Sequence, residues 1–144
     1  MKKEKLHILK GVFVVLLLIN ILIMSYLLFP VRVMRAVFPL VAVLAFASMF
    51  LGIALISLTL KAKAKGHLRT FLIIFGAASI GFLAFSILHN LFYALTHVFM
   101  DISFLRIIFE LLHVGSFMAA FTLCPLGVVV GAVGSIVLFS RKRK

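Results

Sequence analysis

Four long apolar runs, separated by short segments that hold most of the charged residues, dominate this sequence of 144 residues. We expect each run to form a helix, with spans at about residues 11–29, 37–60, 71–99 and 107–139. About 20 apolar residues are enough for a helix to cross the ~30 Å hydrocarbon layer of a bilayer. The sequence therefore predicts an all-α integral membrane protein, a four-transmembrane-helix bundle that forms one membrane domain over residues 1–144.

The composition argues against a water-soluble domain. Hydrophobic residues make up 65% of the chain and charged residues 12%, whereas soluble domains carry about 25% charged residues. Cys124 is the single cysteine, which excludes an intrachain disulfide. The sequence contains no phosphate-binding glycine loop, no Ser-His-Asp order and no HExxH or zinc-finger pattern. No catalytic residue is assigned, and we expect a role in association rather than an enzymatic one.

Lysine and arginine are divided unequally between the two ends of the predicted spans. The chain has 15 of these residues against 3 acidic ones, for a net charge of +12. With four spans, only Arg32, Arg35 and Arg106 fall on one side, and the other twelve lie in the N-terminal head, the basic loop 61–70 and the C-terminal tail. Basic residues concentrate on the cytoplasmic side of membrane proteins. We therefore predict a multi-pass protein of the cell membrane with both the N- and C-termini cytoplasmic.

The basic clusters also predict partners. Anionic lipid head groups attract lysine and arginine residues that lie next to a membrane span. We expect contacts with the lipid bilayer and its anionic head groups through Lys61, Lys63, Lys65, Arg69 and Arg141 to Lys144. Nucleic-acid binding is not expected, because no basic patch is interleaved with exposed aromatic residues.

Small and polar residues within the apolar runs predict contacts between helices. Asn20 is expected to form an interhelical hydrogen bond, and Ser48 and Gly52 are spaced to form a close-packing face. A stripe of small residues in the fourth span predicts the tightest helix contact; it consists of Gly127, Gly131, Gly134 and Ser135. The stripe, and the scarcity of charge in the middle of the spans, favour a homo-oligomer or a subunit of a membrane complex.

The three prolines predict helix boundaries and one distortion. Pro30 is expected to end the first helix, and residues 31–39 to form a connector. Pro39 then falls in the first turn of the second helix, where the missing N–H costs nothing. Pro125, after Cys124, predicts a kink in the fourth helix, with a cavity beneath the polar segment that precedes it.

The most polar stretch, residues 86–113, joins the third and fourth spans. At about 100° per residue, its polar side chains fall on one face of each helix, and we expect these faces to meet. His89 lies about 28 Å along the third helix from its basic end, close to the far edge of the hydrocarbon. We predict a pocket at this outer end for a small polar ligand or ion, lined by Ser86, His89, Asn90, Tyr93, His97, Glu110 and His113.

Metal or haem binding is an alternative function for the same segment. The Glu110-x-x-His113 spacing occurs in carboxylate-bridged metal sites of helical bundles, and histidines on neighbouring helices ligate haem iron. The ligands would be His89, His97, Glu110 and His113, in a membrane enzyme or electron-transfer protein. A third possibility is an ion-coupled transporter that works as a dimer.

A purely structural role for these polar residues is the remaining alternative. Asp101 or Ser103 would cap the N-terminus of the fourth helix. Arg106 and Glu110 would form an ion pair, since they lie four residues apart.

Overall fold

The computed structural model describes residues 3–26 and 31–141, and all regular elements in this part of the chain are helical. The helices are α1 (Lys3–Tyr26), α2 (Val31–Lys61), α3 (His67–Val98), α4 (Ser103–Met118) and α5 (Cys124–Arg141), with a π-helical turn (Ala119–Leu123) between the last two. The last helices and the π turn are continuous, so the described residues contain four helices that are long and apolar enough to cross a membrane. The prediction of an all-α bundle of four long apolar helices is confirmed.

The predicted start of the second helix is wrong. Helix α2 begins at Val31, so the expected connector is already helical and Pro39 lies inside the helix rather than in its first turn. A proline removes one helical hydrogen bond, but the residues before Pro39 are apolar or basic and contain no glycine, so they can continue the helix. The expected effect of Pro30 on the end of α1 lies outside the described residues.

Helix α3 occupies the centre of the bundle. It packs against α2, α4 and α5, while α1 packs against α2 and touches α5. The Lys10 ammonium lies 5.2 Å from the centre of the Phe139 ring, which places the start of α1 and the end of α5 at the same end of the bundle. We call this the basic end, and the opposite end, where α3 turns into α4, the far end.

Aromatic and aliphatic side chains from all four long helices form the core near the basic end. Leu9, Leu55, Leu72 and Val128 are buried together there. The Phe13 ring lies 5.2 Å from the Phe75 ring and 5.6 Å from the Phe139 ring. Because Leu68, one residue after the start of α3, belongs to the same cluster, the loop between α2 and α3 also lies at the basic end.

Asn20 joins three helices in the middle of the bundle. Its side chain is 1% exposed, and its Nδ2 donates to Ser48 Oγ on α2 at 3.3 Å and to Ser79 Oγ on α3 at 3.1 Å. The same nitrogen lies 2.9 Å from the Leu16 carbonyl oxygen. A buried amide requires such partners because leaving it unbonded away from water is costly. The predicted interhelical hydrogen bond of Asn20 is confirmed.

Glycines let α3 approach two of its neighbours closely. A Cβ added at Gly52 would lie 2.7 Å from the Gly76 carbonyl oxygen, and one added at Gly131 would lie 2.6 Å from the Phe75 backbone nitrogen. Gly127 and Gly134 face α3 in the same way, against Ala78 and the Phe71 ring. The close packing predicted for the Ser48–Gly52 face and for the stripe in the last helix is confirmed.

The last long helix is distorted where the sequence predicts a kink. The π turn ends at Leu123, directly before Cys124 and Pro125. Proline lacks an N–H and clashes with the carbonyl four residues earlier, and a wider turn relieves that clash. The Cys124 side chain is buried against Gly81 of α3.

Candidate functional site at the far end

The hairpin of α3 and α4 lies at the far end of the bundle. Helix α4 packs against α3, and no other helix of the described part makes more than marginal contact with it. At the tip, the Phe109 ring lies 5.5 Å from the Phe99 ring and 6.4 Å from the Phe92 ring. Aromatic packing therefore fixes the register of the hairpin and brings the polar faces of both helices together.

His89 and His113 cross-link the two helices of the hairpin. His89 Nδ1 lies 3.2 Å from the His113 carbonyl oxygen, and His113 Nδ1 lies 3.0 Å from the His89 carbonyl oxygen. The two imidazoles are stacked, with ring centres 4.0 Å apart and planes inclined by 21°. Each side chain thus bonds to the backbone of the other residue, and both are half-buried.

The reciprocal bonds fix the tautomer of both rings. A carbonyl oxygen only accepts hydrogen bonds, so each Nδ1 must carry the proton that it donates. In the neutral ring Nε2 is then the acceptor, with a lone pair for a proton, a ligand donor or a cation. The pair therefore presents two Nε2 atoms that can accept a hydrogen bond or bind a cation.

A continuous row of rings extends from this pair in both directions. On one side Tyr93 lies 5.3 Å from His113 and 4.6 Å from His97. On the other side Phe117 lies 5.3 Å from His89 and 4.7 Å from Phe121. The structure thus brings together four of the seven predicted pocket residues: His89, Tyr93, His97 and His113.

Ser86 and Asn90 turn their polar atoms back onto α3. Ser86 Oγ donates to the Phe82 carbonyl oxygen at 2.7 Å, and Asn90 Nδ2 donates to the Ser86 carbonyl oxygen at 2.8 Å. Both bonds join residues four apart on one helix, so the donor atom of each side chain bonds to the backbone of α3 itself. These two residues line the same stretch of α3 but do not contact the histidine pair through any described hydrogen bond.

Glu110 lies outside the row of rings. It is exposed, and it forms no ion pair with Arg106 although the two are four residues apart. The predicted ion pair between Arg106 and Glu110 is therefore absent.

The prediction that Asp101 or Ser103 caps the N-terminus of α4 is also wrong. Ile102 occupies the N-cap position of this helix, and no side chain caps it. The turn residue Ile102 instead donates its backbone N–H to the Phe99 carbonyl oxygen at 3.1 Å.

The ligand set proposed for a metal ion is not assembled within one chain. Among the described residues, no three or more His, Cys, Asp and Glu side chains come close enough to hold a metal ion. A haem between His89 and His113 is also disfavoured, because axial ligands approach the iron from opposite sides of the porphyrin. These two rings face each other at 4.0 Å with no space between them for a macrocycle.

The clearest surface depressions of the described residues lie at the basic end rather than under the histidines. One is lined by Gly66, His67, Arg69 and Thr70 at the start of α3. The other is lined by Lys10, Phe13 and Phe139, between α1 and α5. The cavity predicted beneath the polar segment from the Pro125 kink is not among them.

Sequence reasoning missed the use of backbone carbonyls by the two histidines. A helical wheel places His89 and His113 on facing stripes but carries no information on which atom each ring will reach. On the same helical wheel, Phe117 and Phe121 fall on the polar face of the last long helix. This position could have predicted that their rings extend the row beyond His89.

The fold defines a class: a helical protein whose four long helices have the length and apolarity of membrane spans, with a histidine-linked hairpin at one end. Comparison with known proteins gives no match to a family model, to a curated protein or to a solved structure.

Proposed function

We propose that the chain is a four-span protein of the cell membrane with both termini cytoplasmic, and that its outer hairpin binds a small polar ligand or ion. In this orientation the basic end faces the cytoplasm and the far end faces outward. Two observations support the orientation. The Lys10–Phe139 contact places the start of α1 and the end of α5 at one end. The described basic residues at that end include Lys5, Lys10, Lys61, Lys63, Lys65, Arg69 and Arg141, as expected for the cytoplasmic side of a membrane protein.

The reciprocal bridge between His89 and His113 is the observation that carries the binding proposal. Several polar side chains of the described residues, such as Ser86 and Asn90, bond to a carbonyl oxygen of their own helix. The two histidines instead use one nitrogen each to fix the hairpin, and each neutral ring keeps Nε2 as an acceptor. A ligand that donates a hydrogen bond, or a cation, is the chemistry that such a pair accepts.

Tyr93 and His97 complete the proposed site. Tyr93 contacts both His97 and His113 through its ring, and the side chains of Tyr93 and His97 are exposed. They therefore lie on the path between the half-buried histidine pair and the surroundings. Glu110 and Asn90 have no described contact with the pair and belong to the edge of the proposed pocket.

The experiment is nitrogen NMR of the ¹⁵N-histidine-labelled full chain in lipid nanodiscs, with Zn²⁺ alone as a probe of available imidazole nitrogen. We expect the Nε2 signals of His89 and His113 to shift with Zn²⁺ while both Nδ1 atoms stay protonated. His113→Ala should abolish the shift at His89, whereas His67→Ala, at the basic end, should leave it intact. Protonated Nε2 atoms before addition, or an unchanged spectrum after it, would refute the site.

The basic loop and tail give the proposed partners on the cytoplasmic side. Lys61, Lys63, Lys65, Arg69 and Arg141 are all exposed. In the proposed orientation they border the inner leaflet, where anionic head groups attract them. The function that we propose therefore combines an anchored, lipid-bound inner face with a binding site on the outer face.

A further inference from the structure

Helix α4 carries a regular apolar stripe that no other part of the described chain covers. Its members are spaced three and four residues apart in turn; they are Phe104, Ile107, Leu111, Val114 and Met118. All five are exposed, and the most exposed are Phe104 at 72% and Leu111 at 69%. Alternating steps of three and four residues are the spacing of a coiled-coil seam. Ser116 is the only buried residue of α4, so the apolar stripe is not the face that packs on α3.

The position of the stripe along the helix separates it from ordinary lipid-facing residues. The bridge between His89 and His113 places His113 level with His89, which lies about 28 Å along α3 and near the outer edge of a ~30 Å hydrocarbon layer. The outer three members of the stripe, Phe104, Ile107 and Leu111, therefore lie at or beyond this edge. Apolar side chains are stable against lipid tails but not against water. Exposed apolar side chains in this region mark a contact surface.

We propose that this stripe of α4 is the docking surface for a second copy of the chain, forming a homodimer. The proposal rests on the membrane orientation given above. Two copies inserted in the same direction are related by a two-fold axis along the membrane normal, so their α4 helices run parallel. A two-fold interface brings the same patch of both copies together, and in a parallel pair each residue of the seam meets its own copy.

The residues that flank the stripe fit this parallel pairing. In the coiled-coil register Glu110 occupies the flank that faces position 115 of the second helix, and position 115 is a glycine. A Cβ at Gly115 would meet nothing within 4 Å, so the glycine is not required by packing within the chain. No like charges are opposed in this arrangement, and the missing side chain leaves room for the second helix and for Glu110.

The size of the stripe suits a second copy better than a small ligand. Covering the five side chains in both copies would remove on the order of 1,000 Å² of accessible surface, which is the lower bound for a specific interface. The stripe contains no charge that would select a partner of opposite sign. The glycine faces of α2, α3 and α5 are already used by contacts within the chain.

Cysteine cross-linking of the full chain in its membrane tests the docking surface. In a Cys124→Ala background, Leu111→Cys places a thiol in the stripe, and Leu112→Cys places one on an exposed position beside it, where Leu112 is 42% exposed. We expect Leu111→Cys to form disulfide-linked dimers on the order of tenfold faster than Leu112→Cys, because docking raises the effective concentration of the two thiols. Equal rates would overturn the proposal; if neither variant forms a disulfide, the co-purification measurement decides.

A second measurement covers the case in which a thiol pair has poor geometry. Two differently tagged copies should co-purify from nanodiscs, and Leu111→Asp should reduce recovery at least about tenfold, since a buried unpaired charge is costly. Leu112→Asp is the matched control and should leave recovery unchanged. Recovery that Leu111→Asp does not alter would contradict this surface, whatever the cross-linking shows.

Labelling with a membrane-impermeant maleimide separates failure of the dimer from failure of the proposed orientation. Leu112→Cys should react from outside intact cells, because the residue lies at the far end and off the seam. Reaction without dimer formation would refute only the docking surface. Absence of reaction from outside, with reaction from the cytoplasmic side, would refute the orientation on which it rests.

Discussion

His89 Nδ1 lies 3.2 Å from the His113 carbonyl oxygen, and His113 Nδ1 lies 3.0 Å from the His89 carbonyl oxygen, across a hairpin in which 24 residues separate the two. This reciprocity makes each imidazole depend on the backbone position of the other helix. In the described part of the chain, α3 is the main helix that packs on α4 besides the continuous π turn, so the bridge contributes to holding the hairpin closed.

Replacing His113 by phenylalanine should loosen the hairpin while keeping an aromatic ring in place. The variant loses the hydrogen bond that His113 Nδ1 donates to the His89 carbonyl oxygen, and a hydrogen bond contributes about 1 kcal/mol. The bond from His89 Nδ1 ends on the backbone carbonyl of residue 113, which phenylalanine keeps. We expect hydrogen exchange of the α4 backbone to accelerate about fivefold, with α1 and α2 unchanged. His97→Phe is the control, because His97 is exposed and makes no such bridge. Equal acceleration in both variants would show that the bridge does not hold the hairpin.

Replacing Asn20 by alanine should destabilise the whole bundle. Asn20 is the one side chain described as bonding to both α2 and α3, and the loss should be about 1–2 kcal/mol in the free energy of unfolding. Unfolding by SDS, followed by circular dichroism, measures it. Ser25→Ala serves as control, because Ser25 bonds only to the Leu22 carbonyl on its own helix.

A double variant distinguishes a real network from a general cost of substitution at Asn20. Asn20→Ala and Ser79→Ala should cost less together than the sum of the two single changes, because both remove the same bond. Strict additivity would contradict the hydrogen bond between Asn20 and Ser79.

Glycine substitutions should have opposite effects at two helical positions. Gly131→Ala brings a methyl group within 2.6 Å of the Phe75 backbone, so α3 and α5 must separate, and we expect a loss of about 1–3 kcal/mol. Gly11→Ala meets nothing within 4 Å, and alanine favours a helix over glycine by about 0.5–1 kcal/mol. Thermal unfolding of both variants in one detergent provides the comparison; a stabilising Gly131→Ala would contradict the close approach of α5 to α3.

Neutralising the basic loop should weaken binding of anionic lipid. Each Lys or Arg near a charged leaflet contributes about 1 kcal/mol, so Lys63→Gln should lower the affinity for phosphatidylglycerol about fivefold relative to phosphatidylcholine. Native mass spectrometry of lipid retained by the purified protein measures the ratio. Arg106→Gln, at the far end, should leave the ratio unchanged, and a similar drop in both variants would argue against a specific role of the loop.

Sequence alone accounts for the long apolar helices and for the location of the most polar segment. Hydropathy and charge are summed over neighbouring residues, so a run such as residues 11–29 predicts a span without knowledge of its neighbours. The same holds for Asn20 and Gly131, because an amide or a missing side chain in an apolar helix has few uses other than contact with another helix. Helix ends depend less on local sequence, and Pro39 shows this, because eight residues of α2 precede this proline.

Only the tertiary structure decided which atoms meet at the far end. The facing stripes of α3 and α4 were predictable, but the outcome depends on a register that Phe92, Phe99 and Phe109 set by packing at the tip. That register brings the His89 and His113 rings within hydrogen-bonding distance of each other's carbonyl oxygens and leaves Glu110 outside the cluster. A shift of one residue along either helix would turn each side chain by about 100°, so composition and spacing fix the faces, while packing fixes the contacts between them.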